Sequence, residues 1–188
     1  ISRFATLSDG SVILPLNSFR KIEGKLKRCQ RSLSRKNKFS CNWKKQKQKL
    51  QTIHTNIANA RKDFLHKQST KIASENQAVV MEDLKIKNMT KSAKGTIEKP
   101  GTNVAQKSGL NRAILENNWG QLRQFVEYKC ELYGKHLVLV NPQYTSQKCS
   151  SCGHTEKDNR KDKLLHCLKC GHTQDADLNA SINIKEAG

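Results

Sequence analysis

Near the end of the chain, Cys149-Ser-Ser-Cys152-Gly153-His154 and Cys167-Leu-Lys-Cys170-Gly171-His172 state one pattern twice. A two-residue gap lets both thiolates of a tight turn point at one ion, and the glycine that follows permits the backbone to close. Fourteen residues separate the two pairs, slightly under the roughly 15–20 common in zinc ribbons but ample for a short hairpin. Cys149, Cys152, Cys167 and Cys170 are therefore expected to hold one structural Zn2+, with no coordination position left for Lewis-acid chemistry. Paired disulfides are the competing reading; seven cysteines, an odd number, argue against a disulfide framework. His154 and His172 read as knuckle or surface residues, and Cys29, Cys41 and Cys130 as core or surface thiols.

Two acids stand where chemistry would want them. Glu82 closes an apolar run, Ala78-Val-Val-Met81, and Asp177 stands just past the second cysteine pair, where a helix should begin. In two-metal phosphodiester hydrolysis, carboxylates from distant segments hold hydrated cations at the ends of rigid elements. Spacing alone leaves the plainer readings open: Glu82 as an ordinary strand-end acid, and Asp177 as a helix N-cap.

The elements that must position these groups follow from periodicity. Short strands at Phe4–Leu7 and Val12–Leu14 flank a turn at Asp9-Gly10. Ile22, Leu26, Cys29 and Leu33 step by four and three, predicting a helix that Ser18 caps; residues 34–42 read as a loop. A long helix from about Asn42 to Glu75 carries Leu50, Ile53, Ile57, Ala60 and Phe64 on one stripe, and the two helices are expected to pair as an antiparallel hairpin. Residues 77–84 and 135–141 read as buried strands, 85–110 as loop, and 111–133 as a single helix with Ile114, Leu115, Leu122, Phe125 and Val126 inward and Gly134 at its end. A last helix runs from Asp177 to about Lys185.

Net charge is +19, from 35 Lys and Arg against 16 Asp and Glu. The excess is local: residues 20–50 hold thirteen basic residues and a single acid, Glu23. A solvated helix face mixes both signs, so this stretch predicts contact with a polyanion, nucleic acid above all. Lys36, Lys38, Lys44, Lys45 and Lys47 are the expected phosphate contacts. No apolar run is long enough for a spanning helix and no lipidation signature appears, which argues against a membrane partner. Trp43 and Trp119 are read first as packing residues, with base stacking the second reading.

Val79-Val-Met-Glu82-Asp83-Leu84 with Asn88-Met89, Asn141-Pro-Gln-Tyr144-Thr-Ser-Gln-Lys-Cys149, and Asp177-Leu-Asn179-Ala180 together resemble the OrfB/TnpB family encoded by insertion sequences. Residues 42–68 resemble that family's helical insertion, so the likeness spans essentially the whole chain. It implies an α/β fold: an RNase H-like (RuvC) core formed by 1–145 and 177–188, a helical hairpin insertion at 18–75, and an inserted zinc ribbon at 146–176. It further implies a transposon-associated, RNA-guided DNA endonuclease related to type V CRISPR effectors, cytoplasmic and nucleoid-associated, with guide RNA and target DNA as partners. The family's second and third magnesium-holding acids fall on Glu82 and Asp177, with Asp175 in reserve. Its first, in an Asp-x-Gly, would directly precede Ile1; Asp9 lies too far along to replace it. The expectation is thus a chain that starts beyond that acid and cannot cut DNA by itself, with a non-catalytic zinc-ribbon module binding RNA or single-stranded DNA as the alternative.

Overall fold

The computed structural model describes residues 2–188, with the side chains of residues 18–21 outside that description. The chain is mixed α/β and divides into two compact units, residues 16–68 and residues 1–15 with 69–188. In the second of these, strands β1 (Ala5–Thr6) and β2 (Val12–Ile13) pair antiparallel around Gly10, whose φ of 88° suits a residue without Cβ. Trp119 Nε1 donates to the Phe4 carbonyl at 3.0 Å, so this indole packs and anchors the hairpin.

The 16–68 unit holds helix α1 (Ser18–Ser34) and most of helix α2 (Cys41–Glu75). Asn17, with φ 51°, stands before the first turn of α1, one residue ahead of the expected Ser18, whose side chain is among those not described. Leu26 and Cys29 are buried, and Gln46 of α2 donates to the Cys29 carbonyl at 3.2 Å. Along the part of α2 in this unit the buried apolar residues are Ile57 and the fully buried Leu65. Ala60 is exposed, since the buried stripe drifts toward Leu65.

Strand β3 (Ala78–Glu82) pairs in parallel with β4 (His136–Val140), in register from Ala78 against His136 to Glu82 against Val140. The crossover between them carries the short α3 (Ile86–Met89), α4 (Val104–Asn117) and α5 (Trp119–Leu132). The expected single helix is two. Asn118 takes φ 56°, ending α4 and starting α5, and its side chain donates to Gln121 Oε1 at 2.7 Å. Asparagine tolerates this left-handed state better than other residues with a Cβ, while the apolar periodicity runs on across it and conceals the break. With the bend, Ile114, Leu122 and Val126 face inward and Leu115 turns outward at 56% exposure. Lys129 is buried beneath α2's last turns, donating to Ser69 and Thr70 at 2.7 Å each.

The last part is a three-stranded antiparallel sheet, β5 (Arg160–Lys161), β6 (Leu164–His166) and β7 (Thr173–Asp175), followed directly by α6 (Ala176–Glu186). α6 packs against β3, β7, β1 and β6. No helix among the described residues is long and apolar enough to cross a membrane.

Candidate metal centre and acidic site

The two cysteine knuckles are one conformation repeated. Gly153 and Gly171 have φ of 73° and 72°, and each donates to the carbonyl of the first cysteine of its pair at 2.9 Å. Each first cysteine in turn donates to the histidine five residues on, Cys149 to His154 at 2.9 Å and Cys167 to His172 at 2.8 Å. All four sulfurs lie within 4.8 Å of one another. Cys149 and Cys170 sulfurs are 3.8 Å apart, and Cys152 and Cys167 sulfurs 3.6 Å. These separations far exceed a disulfide bond of about 2.05 Å. They match the tetrahedron edge of about 3.8 Å implied by metal–sulfur bonds near 2.3 Å. Four cysteines so placed can hold one metal ion.

Electrostatics favour the same conclusion. Backbone amides, that of Cys170 first, donate to the Cys167 sulfur and bring its thiol down to about 6. At Cys170 the lowering by the His172 amide is outweighed by the crowding of Cys152, Cys167 and Cys149 and by burial, so that thiol rises to about 12. Were all four to ionise, thiolates at this spacing would need a cation between them. His154 and His172 turn their rings elsewhere, to Glu156 at 3.0 Å and Gln174 at 3.4 Å.

Three asparagines to which the sequence assigned no structural role hold the centre in place. Fully buried Asn159 donates to the Gln147 and His154 carbonyls and accepts from the Leu168 amide, clasping both knuckles. Asn179 on α6, also fully buried, accepts from the Ser150 amide at 2.8 Å and donates to the Lys148 carbonyl at 2.7 Å. Asn183, one turn further, donates to the Thr145 and Lys148 carbonyls. Their polar side chains carry no burial pattern in sequence, because each partner lies on a different element.

Glu82 stands at the end of β3, half-buried, and its Oε1 accepts from the Thr145 hydroxyl at 2.8 Å. Next to it, Asp83 is paired with Lys85 and, at 2.7 Å, with Arg123. Asp175, not Asp177, is the N-cap of α6: its Oδ1 accepts from the amides of Asp177 and Leu178 at 3.0 and 3.2 Å. The acid held in reserve thus has a structural post, and the Asp177 carboxylate is released from capping. Arg3 bonds Asp175 at 2.8 Å and reaches Asp177 at 3.6 Å, while Arg160 of the metal ribbon reaches Asp177 at 3.5 Å. Glu82 and Asp177 therefore have separate partners. They are linked through α6: Asn183, whose partner Thr145 holds Glu82, lies six residues from Asp177, about 9 Å along the helix axis.

Of the expected phosphate contacts, Lys38, Lys44, Lys45 and Lys47 are exposed and Lys36 is half-buried. Lys47 Nζ sits 5.2 Å from the Trp43 ring centroid, and Trp43 lies 5.4 Å from Phe39.

Fold and site together define a mixed α/β chain with a four-cysteine cluster, able to hold a metal ion, set against its last helix. Two family models match it: one described as "Probable transposase" over residues 1–93, the other as "Cas12f1-like, TNB domain" over residues 119–184. The chain belongs to the OrfB/TnpB family of insertion-sequence proteins. It is 50% identical over its whole length to a protein of Escherichia coli (strain K12) provisionally named RNA-guided DNA endonuclease InsQ, and 37% identical to a similarly named protein of Streptomyces pristinaespiralis. It covers 47% and 43% of these two relatives, less than half of either. Among solved structures, Cas12f1 in complex with sgRNA and target DNA matches 93% of the chain and 43% of its own length, with a TM-score of 0.57 at 22% identity, a likeness of fold.

Two outcomes follow. Cobalt(II) titrated into metal-free protein should saturate at one equivalent with the absorption of a tetrahedral thiolate complex, and Cys167→Ser should abolish it; an octahedral spectrum would contradict the geometry. Asp175 is held below the ordinary carboxylate range, first by its hydrogen bond from Arg3. Its contribution to stability is then complete above its unfolded value of about 3.9 and lost as pH falls through the lower folded value. Asp175→Asn should be less stable than the parent by a constant margin above about pH 5, narrowing below about pH 4. A margin unchanged down to acid unfolding would count against the Arg3 pair.

Proposed function

We propose that this chain is the nuclease portion of a transposon-associated, RNA-guided DNA endonuclease. The carrying observation is the packing of α6, with Asp177 in its first turn, against β3, whose last residue is Glu82. In this reading the β3–β4 pair and its helices belong to an RNase H-like (RuvC) core, α1 and α2 form its helical hairpin, and the cysteine ribbon holds a structural Zn2+. Support comes from the names of the relatives, from the Cas12f1 likeness in fold, and from a donor set of four thiolates, which suits zinc. Guide RNA and target DNA are the proposed partners, with Lys36, Lys38, Lys44, Lys45 and Lys47 neutralising phosphates.

Glu82 and Asp177 supply hard oxygen donors of the kind magnesium takes. When bound, magnesium would supply the charge that favours hydrolysis of a DNA phosphodiester. The chain's own residues orient those oxygens: Thr145 fixes one oxygen of Glu82, and Arg3 and Arg160 stand against Asp177. Two carboxylates are a thin ligand set. Beyond the four cysteines, no group of three or more His, Cys, Asp or Glu gathers among the described residues to complete a second metal site. The 188 residues alone are accordingly proposed to bind nucleic acid without cutting it.

The arginine pairing of Asp177 favours a second reading, a binding module whose acids serve only structure. Substitution separates the two. In a full-length relative such as the Escherichia coli protein, alanine at the residue matching Glu82 or Asp177 should lower DNA cleavage by several orders of magnitude while guide RNA binding persists. Cleavage retained in both variants would remove the catalytic assignment and leave the binding module.

A further inference from the structure

Phe39, like Tyr144, is an exposed aromatic residue with positive φ, but it alone of the two stands in the most basic stretch of the chain. It is 74% exposed and has φ 68°. Ser40 N donates to the Asn37 carbonyl at 3.2 Å, which places Phe39 third in a tight turn, where positive φ calls for glycine or asparagine. A bulky side chain there is strained, and an exposed phenyl ring gains nothing from burial. The turn is nevertheless tied to the start of α2 by hydrogen bonds. Ser40 caps α2, its hydroxyl accepting from the Trp43 amide at 3.2 Å and its carbonyl from the Lys44 amide at 2.9 Å. Trp43 backs the phenyl ring at 5.4 Å with a 52° tilt, and Lys47 covers Trp43. From residue 35 to 47 the chain carries Arg35, Lys36, Lys38, Lys44, Lys45 and Lys47 and no acid.

We infer that Phe39 is a stacking platform for an unpaired base of a single-stranded nucleic acid, with the surrounding lysines holding the flanking phosphates. An aromatic face in a cationic field recognises this chemistry without reading sequence, because every base offers a π-face. Strain kept at an exposed residue points to a ligand, since folding alone would select glycine at this turn. A duplex, its bases already stacked, offers the ring only its ends. The inference rests on the nucleic-acid reading above and adds the contact that distinguishes single strands from duplexes.

The test uses the whole chain with metal bound, short single strands of RNA and of DNA carrying 2-aminopurine, and the matching duplex. Binding is followed by anisotropy and stacking by quenching of the 2-aminopurine. Phe39→Gly should bind single strands about 5- to 100-fold more weakly and lose the quench. Its salt dependence should be unchanged and its Tm equal to or above the parent's. Phe39→Trp should keep both affinity and quench, and Lys44→Ala should weaken binding and shallow the salt slope while leaving the quench. Whichever of RNA or DNA is quenched more strongly is the strand the platform serves. Unchanged single-strand affinity and quench in Phe39→Gly, equal losses on the duplex, or a lowered Tm would overturn the inference. Failure of the parent chain to bind any strand in a salt-dependent manner would instead overturn the nucleic-acid reading beneath it.

Discussion

Two buried amides on one helix organise the C-terminal half of this protein. Asn179 and Asn183 bond the backbone of residues 145–150, the segment that leads into the first cysteine knuckle and also carries the hydroxyl that holds Glu82. A buried backbone amide or carbonyl left without a partner costs about 1–3 kcal/mol. The segment therefore has one satisfied position, and α6 dictates it. Through that helix the metal ribbon, the end of β3 and the turn bearing Asp177 become parts of one object, although about a hundred residues of chain lie between the acids.

The metal ribbon acts in the same sense from the other side. Its four sulfurs surround a point where an ion would sit, and Asn159 clasps both knuckles so that neither can turn independently. Its first strand contributes Arg160 to Asp177, and its last strand ends in Asp175, the cap on which α6 begins. A small module with few large apolar residues relies on metal ligation for its stability. What an ion bound there would stabilise extends past the ribbon, because α6 shares its backbone partners with the knuckle.

How much of this could be read in sequence depended on the range of the interactions. The cysteine tetrad was legible because ligand spacing is local and chemically specific, and the parallel strands because four apolar residues bounded by polar ones suit a buried strand. The family resemblance carried by Glu82-Asp83-Leu84 and Asp177-Leu-Asn179-Ala180 is upheld by both family models. The break at Asn118 was hidden since helical periodicity continues through it, and Leu65 is buried where its neighbour Phe64 was expected because stripe position is uncertain by a residue over a long helix. That Asp175 and not Asp177 caps α6 was decided by two residues of helix phase. Asn159, Asn179 and Asn183 were invisible as structural residues, because a buried polar side chain is explained only by partners that the fold supplies. Phe39 read as part of a loop, its φ being a property of the folded turn.

If α6 couples the ribbon to the acidic elements, removing the metal must loosen more than the ribbon. Hydrogen exchange compared between metal-loaded and chelated protein tests this most directly. Faster exchange spreading from residues 149–172 into α6 and the amides near Glu82, with α1 and the first half of α2 unaffected, is the predicted result. Loss of protection confined to residues 149–172 would contradict it.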